Sequence, residues 1–194
     1  MKNSKVDICF IGNAIVDILS KISYESLNNL KIHKGSMSLV DEESSDEILK
    51  YIQNPSIISG GSAANTAVGF KSFGGKCSFI GQIGKDKYGD LFSKDLNNSG
   101  VFFQDKDYLP QEKTSKCIVL ITPDAERSMI TYLGASNKFN INSLDKESKN
   151  IVELYEISNM KVQFFEDLLK QLKLNRNLKI IELKSKLKKE NSLN

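Results

Sequence analysis

Three groups of residues have the types and spacing to do chemistry. Asn13 and Asp17 flank the exit of the first apolar segment, Gly60-Gly61-Ser62-x-x-Asn65 opens a helix-like stretch, and Gly81-x-x-Gly84-x-Asp86-x-x-Gly89 leads into another. A Gly-Gly step leaves backbone N–H groups uncovered, so a ligand can approach a helix start closely. Asn65, one turn into that helix, can point its amide the same way. A carboxylate such as Asp17 is suited to accept two hydroxyl hydrogen bonds from a vicinal diol. In this order the residues describe a polyol site. Each alone has a plainer reading: Gly60-Gly61 as a tight turn, Asp17 as a surface carboxylate, Asp86 as a helix N-cap.

The common phosphate loops do not account for these glycines. Gly69 to Lys76, GFKSFGGK, comes near G-x-x-x-x-G-K-[ST], but Gly75 stands where the lysine is required. It also follows a helical stretch, whereas that motif follows a strand, so it reads as a helix end. No G-x-G-x-x-G occurs, and a dinucleotide site of that type has no support.

The positioning elements follow from periodicity and punctuation. Residues 6–11 are apolar, as a buried strand is, and 14–22 alternate, with Ile15, Asp17, Leu19 and Lys21 opposed to Val16, Ile18 and Ser20. Residues 37–40 and 57–59 read as short strands and 76–83 as a longer one. Helices are expected over 41–53, 62–73 and 87–98, the first opening on acids that complement the positive end of a helix. The alternation of strand and helix argues a parallel sheet flanked by helices. After Gly100, residues 101–108, 114–122 and 127–133 read as an antiparallel meander, part of which can join 14–22 and 37–40 in a separate small sheet.

Composition narrows the classes. The chain has 194 residues, 40% of them hydrophobic, and a net charge of +3, too small and too evenly spread to argue for nucleic acid. No apolar run reaches about 18 residues, and the N-terminus lacks a signal-peptide core, so a cytoplasmic protein without a membrane segment is expected. The three cysteines, Cys9, Cys77 and Cys117, lie apart in apolar stretches and read as reduced, buried thiols. A single histidine, His33, leaves no multi-histidine metal site and no Ser-His-Asp relay. All twelve glycines and all three prolines lie between Gly12 and Gly134. Residues 141–194 therefore read as a separate, helical, Gly- and Pro-free tail, with a stripe at Val162, Phe165, Leu168, Leu169 and Leu172.

The segments FIGNAIVDI, KGSMSLVDE, SGGSAANTA, FIGQIGKDKYGDLF and DAERSMITYLGAS resemble the ribokinase-like (PfkB) carbohydrate kinases, above all the adenosine kinase branch and related sugar kinases. The resemblance covers residues 5 to 140. It implies a Rossmann-like α/β core, here partial, with a small β-sheet lid, and the ATP- and Mg2+-dependent phosphorylation of a nucleoside or ribose-like sugar. It implies that Asp17, with Asn13 nearby, binds sugar hydroxyls and that Gly60, Gly61, Ser62 and Asn65 line the ribose pocket. Met37, Leu120, Met129 and Thr131 become lid residues over base or sugar, and Arg127 meets a phosphate-bearing end of the substrate. The family's catalytic D-T-x-G-A-G-D motif, whose last Asp is the base, does not occur, and no glycine follows Gly134. Residues 1–140 are thus expected to be the substrate-and-lid part of such a kinase, without a catalytic residue and inactive alone. The competing reading is a non-catalytic binding module or lid-to-lid homodimer, or the product of a truncated or frameshifted gene.

Overall fold

A computed structural model describes residues 6–103, 108–139, 153–157 and 179–180. The described residues form two five-stranded sheets and a two-stranded ladder. The core sheet contains β1 (Ile8–Ile11), and the chain then crosses at once into a second sheet through β2 (Ile15–Lys21). Helix α1 (Tyr24–Asn29), β3 (Met37–Leu39), α2 (Glu42–Lys50) and β4 (Ser56–Gly60) follow. The chain returns to the core in α3 (Ser62–Ser72), β5 (Cys77–Ile80), β6 (Ile83–Gly84), α4 (Lys87–Asn98) and β7 (Phe102–Phe103). Next come β8 (Tyr108–Leu109) and the hairpin of β9 (Ser115–Ile121) and β10 (Arg127–Tyr132), then β11 (Glu153–Ile157) and β12 (Lys179–Ile180).

The core sheet has the order β12-β11-β1-β5-β7, and every pairing in it is parallel. Ala63, Ala64 and Ala67 are the buried face of α3, and their small side chains let the helix sit close to the sheet. On α4, Phe92 and Leu96 are buried. Phe92 meets Phe79 and Phe103 with ring centroids 5.6 and 5.5 Å apart, in the tilted and edge-on arrangements that aromatic quadrupoles favour.

The second sheet has the order β3-β10-β9-β2-β4. Its back face buries Ile118, Leu120 and Ile130 with Leu27 of α1, while Ile48 and Leu49 of α2 pack against them. Asp41 caps α2 by accepting the Ser44 N–H at 2.8 Å; hydrogen bonds from the Ser44 hydroxyl and then its N–H hold the carboxyl below the ordinary range, so this acid has a structural role. Lys116, buried on the back face, pairs with Asp46 of α2, and the Tyr132 hydroxyl donates to Glu42 at 3.2 Å. The helices therefore close one face of this sheet and leave the other uncovered.

Several expectations shift. The 57–59 strand belongs to the second sheet, antiparallel to β2, and not to the core. The expected meander reduces to one hairpin. Phe102–Phe103 joins the core sheet beside β5, and Tyr108–Leu109 pairs with β6 in a two-stranded parallel ladder. The expected strand 76–83 is interrupted between Ile80 and Ile83. The tail expected to be helical contains β11, which pairs parallel with β1. A parallel strand needs no glycine within it, so the loss of glycine after Gly134 did not mark the end of the sheet. The helical stripe from Val162 to Leu172 lies outside the described residues.

Candidate functional site

The uncovered face of the second sheet is set by strand register. Asp17 lies directly opposite Cys117 and Ile58, and Cys117 directly opposite Thr131. Met129 lies opposite both Val119 and Met37, and Leu39 opposite Thr131. Cross-strand partners share a face. Asp17, Ile58, Cys117, Val119, Met129, Thr131, Met37 and Leu39 therefore form one surface. Its outer part is open: Met37 is 59% exposed, Leu39 62% and Met129 37%. Arg127 is also exposed and lies on this face by the same alternation, opposite Ile121 at the end of the sheet far from the core.

The polar end of this surface is assembled at the crossing from β4 into α3. Ile15 of β2 pairs with Gly60, which presses the Gly60 backbone against the Asp17 side chain, and a Cβ at Gly60 would collide with the carboxylate. Gly61 has φ +92°, and a Cβ there would lie 2.7 Å from the Asn13 carbonyl oxygen. The two glycines are thus close approaches to Asp17 and Asn13, beyond the needs of a turn. Gly61 is the N-cap of α3 and provides no side-chain cap, so the first N–H groups of the helix have no side-chain acceptor. Ser62 and Asn65 are exposed on this first turn. Burial raises the Asp17 carboxyl above the usual carboxylate range. Hydroxyl donors would favour its charged form.

Most of the sequence-derived site residues are brought together here: Asn13, Asp17, Gly60 and Gly61 at the polar end, with Ser62 and Asn65 on the first turn of α3. Met37, Met129 and Thr131 lie along the apolar surface. Leu120 is a correction. It is fully buried on the back face with Leu27 and Ile130, because side chains alternate along β9 and Asp17 is level with the odd-numbered residues of that strand. Cys117 and Val119 of the same strand share the face of Asp17 instead, and the alternation of β9 contains that signal once Asp17 is aligned with it. Cys117 accepts from the Thr131 hydroxyl at 3.4 Å. Burial pushes its thiol up, the Thr131 hydroxyl opposes this, and the negative Asp17 adds to the rise.

Asp86 has the capping role that its position suggested, accepting from the Tyr88 and Gly89 N–H groups at 3.1 and 2.9 Å. A separate concavity of about 490 Å³ lies between α1 and α2, lined by Leu30, Lys31, Glu43, Glu47, Ile48 and Tyr51. It is behind the second sheet and does not reach Asp17. Among the described residues no three His, Cys, Asp or Glu side chains gather to hold a metal ion, and no helix is long and apolar enough to cross a membrane.

The family model of the pfkB family carbohydrate kinases matches residues 8–191. The chain belongs to this family. The match passes the expected boundary at residue 140 and takes in β11. A pfkB relative, the adenosine kinase of Saccharomyces cerevisiae, is 31% identical over 146 residues, which are 70% of this chain and 42% of that protein. Fructokinases also match over shorter segments. A probable sugar kinase from Rhizobium etli superposes with a TM-score of 0.77 at 28% identity, covering 91% of this chain and 55% of the other. The adenosine kinase of Sinorhizobium meliloti gives a TM-score of 0.76 at 28% identity, covering 91% and 56%. The α/β fold with its second sheet is thus the pfkB kinase fold. The chain spans about two fifths of the length of the yeast relative and about half that of these solved structures.

Proposed function

We propose that this chain binds a nucleoside, with adenosine the first candidate, or a ribose-like sugar. It does so as the substrate-and-lid part of an ATP-dependent kinase that phosphorylates a primary hydroxyl. The observation that supports this most is the surface with two unlike ends. The Asp17 carboxylate, pressed against Gly60 beside the uncapped start of α3, suits a vicinal diol. The exposed Met37, Leu39 and Met129 supply a polarisable, apolar bed for a base. Adenosine is preferred because adenosine kinases match this chain over 70% of its length. The second sheet is the lid, and its uncovered face meets the substrate. Arg127 lies at the far end of that face, away from Asp17, and an unphosphorylated nucleoside or sugar brings no phosphate to it.

No residue described here is assigned to ATP, to Mg2+ or to the catalytic base. The sequence has no G-A-G-D segment, and the described residues offer no cluster of metal donors. The absent base favours a second reading, a ligand-binding module without catalysis. A lid-to-lid homodimer would use the same apolar face, so ligand and dimer contact would compete for it.

Titration calorimetry of the purified chain with adenosine and 2′-deoxyadenosine tests the proposal. Adenosine is expected to bind at least about 10-fold more tightly, since the deoxy analogue leaves part of a carboxylate unpartnered. Equal affinity, or no binding of either, overturns it. Incubation with adenosine and Mg-ATP should give no AMP above a no-protein control. Formation of AMP would show that the chain contains its own base.

Protonation of Asp17 gives a further expected result with two opposite signs. Its folded carboxyl titrates above its unfolded value because burial disfavours the charge. The folded state then holds more protons through the window between the two values, so Asp17 favours folding at low pH and disfavours it as pH rises through that window. Ligand hydroxyls bind the charged form, so affinity rises across the same window. Denaturation and binding curves from the acid range to neutrality check both trends, and Asp17→Asn should flatten both.

A further inference from the structure

Asp86 does more than cap a helix. Its Oδ1 accepts from the Tyr88 and Gly89 N–H groups of α4 at 3.1 and 2.9 Å and from the Thr114 hydroxyl at 2.8 Å, and its Oδ2 accepts from the Thr114 N–H at 2.8 Å. Thr114 is fully buried and immediately precedes β9, the middle strand of the lid. Its hydroxyl also accepts from the Gly84 N–H at 3.0 Å. Gly84 and Gly89 pack so closely around this point that a Cβ on either would strike backbone atoms. Burial alone would raise the Asp86 carboxyl, yet the hydrogen bonds from Thr114, Gly89 and Tyr88 outweigh it and hold the group ionised. One carboxylate thus joins the start of a core helix to the root of the central lid strand.

The consequence for the pocket follows from register. From Ser115 onwards β9 runs beside β2, with Ser115 opposite Ile15 and Cys117 opposite Asp17. Ile15 is in turn opposite Gly60. A shift of the β9 root is therefore carried across one ladder to Asp17 and across a second to the start of α3. The chain leaving the β9–β10 hairpin after β10 meets the core through longer hydrogen bonds. The Ser136 hydroxyl approaches the Ala14 and Gln82 carbonyl oxygens at 3.5 and 3.4 Å, while the Ala135 N–H donates to the Lys113 carbonyl at 2.8 Å within the lid connection itself.

We propose that Asp86 is a positioning residue, the latch that sets the placement of the lid over the start of α3 and through it the affinity of the Asp17 pocket. The affinity part rests on the function proposed above; the latch itself does not.

Asp86→Asn separates the two roles of the side chain. An asparagine Oδ1 still caps α4, but its NH2 group meets the Thr114 N–H donor to donor. Amide hydrogen exchange and adenosine titration are measured on wild type and on this variant, below the onset of unfolding of both. The expected result is exchange at least about 10-fold faster along β9 and β10, unchanged protection in the second half of α4, and adenosine affinity reduced at least about 10-fold. Unchanged lid exchange, or an equal loss of protection in lid and α4, overturns the latch. Thr114→Val, which removes only the hydroxyl bonds, should loosen the lid in the same pattern, and Thr114→Ser should restore it. Failure of Ser to restore what Val removes also overturns the proposal. If wild type binds no nucleoside, the function proposed above fails, and lid-selective exchange alone decides the latch.

Discussion

Asp17→Ala should weaken riboside binding by about 2–4 kcal/mol, some 30- to 1,000-fold in Kd, while the chain stays folded. In the proposed site the carboxylate accepts from two hydroxyls, and each hydrogen bond to a charged group is worth about 1.5–3 kcal/mol, reduced here because the site is open to water at one side. The loss should be selective. Wild type should prefer adenosine to 2′-deoxyadenosine, and the variant should bind the two alike, because the group that recognises the second hydroxyl is gone. Folding should not suffer, since burial works against the Asp17 charge in the ligand-free chain. Calorimetry with both nucleosides checks this. Retained discrimination in Asp17→Ala would remove Asp17 from the site and leave it a strand residue beside Gly60.

Gly61→Ala should cost about 2–4 kcal/mol of stability and remove ligand binding with it. A φ of +92° strains any residue with a Cβ, and that Cβ would lie 2.7 Å from the Asn13 carbonyl oxygen, which belongs to the rigid crossing from β1 to β2. Relief requires Asn13 or the start of α3 to move, and both border the pocket. Gly69→Ala is the internal control. Gly69 lies inside α3, and an added Cβ would find no atom within 4 Å. That substitution should stabilise the chain by about 0.5–1 kcal/mol through the gain in helix propensity. Urea denaturation of the two variants checks both signs. A neutral Gly61→Ala would mean that the crossing yields more easily than its geometry implies.

The residues proposed to meet a ligand at the polar end were legible because their signals are local. Gly-Gly-Ser-x-x-Asn is a close backbone approach followed by the first turn of a helix, and Asp41 and Asp86 each stand immediately before a helix and accept from N–H groups two or three residues on. The alternation of residues 15–21 already separated Asp17, Leu19 and Lys21 from Val16, Ile18 and Ser20, and the burial of β2 follows it. The α/β class and the separate small sheet were legible for the same reason, since periodicity and glycine punctuation lie within single segments.

What the sequence left open was the choice of partner. Nothing within Ser56–Gly60 says that it pairs antiparallel with β2 in the lid, and nothing within Phe102–Phe103 says that it pairs with β5 in the core. Strand pairing is decided by segments far apart in the chain. Leu120 shows the cost at the level of one residue: β9 is almost wholly buried, so its own pattern does not say which side faces the pocket. The register with β2 does, and it selects Cys117 and Val119. Asp86 makes the same point. Its cap was readable from the next three residues, but its hold on Thr114, 28 positions away, required the lid and core to be folded against each other. Local hydrogen bonding and periodicity were thus determined by sequence alone, whereas sheet partners, the face each strand presents and the tie between lid and core were decided by tertiary structure, because each depends on contacts between segments distant in the chain.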